Sequence, residues 1–137
     1  MQDHSSVLQY LMPAYYRIDK ERKIVMTTAA GVLTMAESLA HQEKLLKDPD
    51  FSPSFAQLMD LTQVTQVELG PEVVSRIALK SVFSPESRRA ILVTADLVLG
   101  LAQMFEILRE NAGEKGIRVF RNLDDALEWI LGKNTDL

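Results

Sequence analysis

Cysteine is absent from the 137 residues, which excludes disulfides, thiolate metal sites and thiol catalysis together. Basic residues are outnumbered, 15 Lys and Arg against 19 Asp and Glu. The resulting net charge of -4 argues against nucleic acid as a partner, which would need a concentrated basic face. Long apolar runs are also missing. The longest covers residues 97–102, far short of the ~20 residues that a membrane-spanning helix needs. The stretch over 7–12 is broken by Gln9 and has no basic residues before it, so neither a signal peptide nor a membrane anchor is expected. A cytoplasmic location is the expectation. No internal repeat, low-complexity tract or G-x-S-x-G serine elbow occurs.

What is present is ordinary globular stock, 47% apolar and 25% charged. The length suits one domain, expected over 14–132 between tails at 1–13 and 133–137. Tyr16-Arg17-Ile18 and the stretch 23–28 flank four charged residues that read as a hairpin turn, with Gly31 ending the second strand. Thr34 and Glu37 form a capping box, followed by a helix whose apolar side is Met35, Leu39, Leu45 and Leu46. Pro49 and Pro53 mark a loop, and residues 55–61 a strand. Gly70-Pro71 opens a second helix with Val73, Val74 and Ile77 as its buried stripe. Ala90-Ile91-Leu92-Val93 is apolar throughout, as a strand covered on both faces must be. Then come a helix over Asp96–Asn111, a strand over 117–121 and a helix capped by Asn122. The order β-β-α-β-α-β-α-β-α predicts an α/β fold. Its five-stranded sheet is mixed but mostly parallel, with an antiparallel first strand and four main helices.

That order, together with Leu58-Met59-Asp60-Leu61-Thr62-Gln63-Val64-Thr65, resembles the STAS family and its SpoIIAA-like (βα)4 superhelix. The likeness covers residues 14–131. The stretch RRAILVTADLVLGLAQMFE, followed by VF and DALEWI, is similar to a bacterial branch of SpoIIAA-like proteins, and the fold also resembles the lipid-binding domain of CRAL-TRIO transfer proteins. The resemblance implies a regulatory domain whose antagonist members carry an Asp-Ser pair, the serine being phosphorylated by a partner kinase. In register from Asp60, this chain has Glu68 and Leu69 there. Leucine accepts no phosphoryl group, and Glu68 and Glu72 would repel one.

The candidate sites are few. His4 lies in the opening tail, and His41 falls on the polar side of the first helix, where it reads as solvated. Asp48, Asp50, Asp60, Asp124 and Asp125 match no closed metal-ligand spacing, so neither metal nor cofactor is expected. Each helix start supplies its own acid (Glu37, Glu72, Asp96, Asp124), which argues against a phosphate site. Lys80, Arg88 and Arg89 read as a solvated rim beside the central strand. In the Asp96–Asn111 helix, Leu97, Val98, Leu101, Met104, Phe105, Ile107 and Leu108 fill about half the circumference. Leu99 lies outside that arc, and Gly100 permits close approach, of a neighbouring strand for instance.

These features point to a non-catalytic domain that works by binding a protein partner, a second copy of itself, or an apolar, lipid-like molecule. Leu39, Val98, Leu99 and Met104 are the expected contact residues, on the first and third helices. The glutamates on the third helix's polar face give no indication of peripheral membrane contact. Two alternatives stand beside this expectation. One is a phospho-switch on a displaced hydroxyl, Thr62, Thr65 or Ser75. The other is an enzyme using Asp60 and Glu68 as acid and base across a strand-to-helix turn.

Overall fold

The computed structural model describes residues 14–68, 82–94, 96–111, 113 and 116–132, without the side chains at 35, 67, 97 and 101. The helix expected from Gly70, with Val73, Val74 and Ile77, lies outside the described residues, as do His4, Leu69, Glu72, Ser75, Lys80 and the two tails. The remaining elements are β1 (Ala14–Asp19), β2 (Ile24–Thr34), α1 (Met35–Lys47), β3 (Ala56–Glu68), β4 (Arg89–Leu92), α2 (Asp96–Asn111), β5 (Ile117–Phe120) and α3 (Leu123–Ile130). The five strands form one sheet in the order β1-β2-β3-β4-β5. β1 is antiparallel to β2 and every later pairing is parallel. None of the helices among the described residues is long and apolar enough to cross a membrane.

Local chemistry sets the boundaries. In the β1–β2 turn Lys23 takes φ +59, and the Asp19 carboxylate accepts from the Arg22 backbone N–H at 3.0 Å and its Nε at 2.8 Å. The Thr34 hydroxyl caps α1 by accepting from the Glu37 N–H at 3.2 Å, and Asn122 Oδ1 caps α3 by accepting from the Asp125 N–H at 3.1 Å. Two strands run further than expected. β2 does not end at Gly31 but passes through it at φ +69, and β3 continues to Glu68. The β2–β3 register shifts between Thr28 and Ala30 and again between Gly31 and Val32. Such bulges destroy the two-residue alternation by which a strand is read from sequence.

Strand parity divides the core between the two sheet faces. One face holds Ile24, Leu58 and Ala90, covered by Ala126 and Ile130 of α3. The other holds Ala29, Leu61, Ile91 and Val93 against Val98 and Ala102 of α2, and Val25 against Leu45 of α1 with Phe83. β4 is buried along its whole length, as its apolar run implied.

Both helices on that second face are rotated from their expected orientation. In α1, Leu45 is fully buried, but Leu39 and Leu46 are 37% and 62% exposed. In α2, Val98, Ala102 and Arg109 are buried and Leu99 is partly so, whereas Ile107 is 58% exposed. Among the described residues Gly100 has no neighbour within 4 Å of where a Cβ would stand. Apolar residues surround so much of α2 that their pattern defines no sharp inward direction.

Candidate functional site

A cavity of about 140 Å3 lies between this second sheet face and helices α1 and α2. The strands supply its floor at alternating positions: Thr27 and Ala29 from β2, Gln57 and Met59 from β3, Arg89 and Ile91 from β4. From α1 come Ser38, His41, Gln42 and Leu45, and from α2 Val98, Ala102 and Phe105. Both sets follow helical spacing, so each helix turns one continuous stripe inward. No acidic side chain is among the described lining residues.

A row of hydrogen-bonded polar side chains crosses the apolar floor. Arg89 Nε donates to Gln57 Oε1 at 3.0 Å, and Gln57 Nε2 donates to Thr27 Oγ1 at 3.0 Å. Thr27 Oγ1 in turn lies 3.0 Å from His41 Nε2. Gln57, Thr27 and Arg89 are 1%, 5% and 7% exposed, so the bonds must answer for the loss of water. The Arg89 guanidinium also lies over the Phe83 ring at 4.5 Å and near that of Phe105 at 5.7 Å, which offsets some of its desolvation.

His41 stands at the boundary of a second space. An open groove of about 660 Å3 runs between β1 and α1, lined by Tyr15, Tyr16, Lys44 and Asp48 among others. Ala14 and His41 line both spaces. The Tyr16 ring meets His41 edge-on at 5.4 Å, and its hydroxyl donates to Asp48 Oδ2 at 2.7 Å. Burial, helped by the Asp48 carboxylate, pushes the Tyr16 hydroxyl up to about 12. Burial first, then the charges of Arg89 and Lys44, push His41 down from 6.5 to about 4. Its imidazole is neutral at physiological pH.

This arrangement corrects two sequence expectations. His41 is not solvated on a polar helix face but faces the sheet, and Arg89 is not on the rim but inside the core, while Arg88 alone of that pair is exposed. The usable signal was strand parity: adjacent residues on β4 must point to opposite faces. Of the expected contact residues, Val98 lines the cavity. Leu99 packs on the core beside it, Met104 is partly buried, and Leu39 lies on the outer face of α1.

The hydroxyls and acids are dispersed. Thr62 donates its hydroxyl to Asp60 Oδ1 at 2.6 Å, and Thr65 is exposed further along β3. Asp60 and Glu68 sit eight positions apart on that one strand, ~26 Å at the rise of extended chain, so no turn brings them together. Among the described residues no cluster of three or more His, Asp or Glu side chains could hold a metal ion.

Comparison with known proteins bears on the fold. No protein-family model matches the chain, and no curated protein matches it. Among solved structures it is similar to an uncharacterised protein of the DUF3478 family from Shewanella loihica PV-4, described as having a SpoIIAA-like fold. Identity is 21%, the match covers 85% of this chain and 93% of that one, and the TM-score is 0.55. The five-stranded mixed sheet with its β-β-α opening is therefore a SpoIIAA-like fold.

Proposed function

We propose that the chain is a non-catalytic binding domain that takes up a small, largely apolar molecule between the sheet and helices α1 and α2. The observation that carries this is the cavity itself, mostly apolar in its lining and with the polar row across its floor already hydrogen-bonded. Apolar cavities of ~150 Å3 admit benzene or xenon, and at about 140 Å3 this one suits a molecule of roughly six to ten heavy atoms. Among the described residues His41 faces a hydroxyl and the charge of a guanidinium, with no carboxylate bonded to it that would orient it as a base.

Toluene tests this reading. At saturation it should raise the Tm and shift the NMR signals of Ile91 and Ala102, with little change at Leu46. No change in either measurement removes the proposal. A second reading, a protein partner or a second copy on the outer face of α1, draws on the exposure of Leu39 and Leu46. It requires concentration-dependent association in sedimentation that Leu46→Lys abolishes.

A further inference from the structure

Arg89 sets the direction of the first two bonds in the polar row. A guanidinium N–H can only donate, so the Gln57 atom facing it is the carbonyl oxygen and the amide nitrogen is left to donate to Thr27. The Thr27 hydroxyl, having accepted one bond, keeps its O–H and a second lone pair, and the atom 3.0 Å away is His41 Nε2. When the Thr27 O–H is given to Nε2, that nitrogen carries no proton and the neutral ring holds its hydrogen on Nδ1, the arrangement that a donor role for Nδ1 requires.

That second nitrogen is uncommitted. Among the described residues His41 Nδ1 makes no hydrogen bond. No buried side-chain nitrogen or oxygen among them lacks a partner, so Nδ1 is not sealed in packed protein, and His41 borders both the cavity and the open groove. The other polar lining groups are engaged: Ser38 donates to the Thr34 carbonyl at 3.2 Å, and Gln42 and Arg89 have further interactions.

We infer that the ligand is an apolar molecule bearing one neutral acceptor oxygen, a ketone or ether, which His41 receives through its Nδ1–H. This rests on the binding role proposed for the cavity and adds the polarity of what enters it. The ring's neutrality suits a neutral acceptor, since it offers a hydrogen bond without a charge.

Two measurements test it. In the unliganded full-length protein, nitrogen NMR of the His41 ring should show Nε2 as an unprotonated acceptor and Nδ1 as protonated. A proton on Nε2 overturns the inference. Cyclohexanone and methylenecyclohexane, alike in shape, then probe the site. Cyclohexanone should shift the Nδ1–H resonance and methylenecyclohexane should not. The ketone-to-hydrocarbon affinity ratio should fall about fivefold in His41→Phe, the loss of one hydrogen bond. If the hydrocarbon binds but the ketone leaves Nδ1–H unmoved, the inference fails and the apolar site stands. If neither binds, both fall.

Discussion

Gln57 and Arg89 stand opposite each other on neighbouring parallel strands and share a 3.0 Å hydrogen bond inside the core. Gln57 joins a buried cation on one side to a buried hydroxyl on the other, so removing its amide costs each of them a hydrogen bond. Gln57→Leu should lower the unfolding free energy by about 2–4 kcal/mol, the range for breaking a buried charge-assisted bond. Gln57→Glu keeps an acceptor for Arg89 and should lose less. Urea denaturation of the two variants measures the difference, and equal losses would contradict the role assigned to Arg89.

His41 gives the protein a pH dependence of known sign. Its folded-state pKa lies at about 4, below the ordinary 6.5. The unfolded chain therefore takes up the proton first, and stability falls as the pH drops from 6.5 towards 4. The contribution is complete above that window and flat below it. At 1.36 kcal/mol per pKa unit the loss amounts to about 3 kcal/mol. Carboxylates titrate in the same range, so the measurement is a difference: wild type minus His41→Gln, by urea unfolding from pH 7.5 to 4. The stability gap should narrow as the pH falls.

Leu45 and Leu46 are adjacent and identical in chemistry, but the first is fully buried and the second 62% exposed. Leu45→Ala should cost about 3–4 kcal/mol through lost burial and the void it leaves. Leu46→Ala should stay within ~0.5 kcal/mol, as exposed sites do. Thermal unfolding separates the two, and comparable losses would mean that α1 is rotated from this orientation, by about 50° if the two share the burial equally.

That pair also shows how far the sequence could be read. Turns, caps and the apolar β4 run were legible because Asp19, Thr34, Asn122 and residues 90–93 act through neighbours close in the chain. The inward face of α1 was not. Leu39 and Leu46 suggested one side, yet the helix turns Ser38, His41 and Gln42 towards the sheet. His41 is tolerated there because Thr27, bonded to Gln57 and through it to Arg89, meets it, and these partners are 30 and 32 residues apart. Hydrophobic periodicity registers no partner at such distances. β3 was read short for a related reason, since its bulged register against β2 erases the alternation beyond Leu61.

Two substitutions on α2 separate the cavity from the helix that walls it. Ala102 is 6% exposed and lines the cavity, so Ala102→Leu extends three further carbons into space that is otherwise unfilled. It should raise stability by about 1 kcal/mol, or ~3 °C in Tm, and abolish toluene uptake. At Gly100, two positions earlier, a methyl group meets nothing within 4 Å among the described residues. Gly100→Ala should stabilise α2 by a similar ~0.5–1 kcal/mol through helix propensity alone and leave toluene binding intact. Calorimetry with and without toluene reads both quantities. Because the two variants gain comparable stability, a loss of binding confined to Ala102→Leu cannot be ascribed to a stiffer helix and must come from the occupied volume.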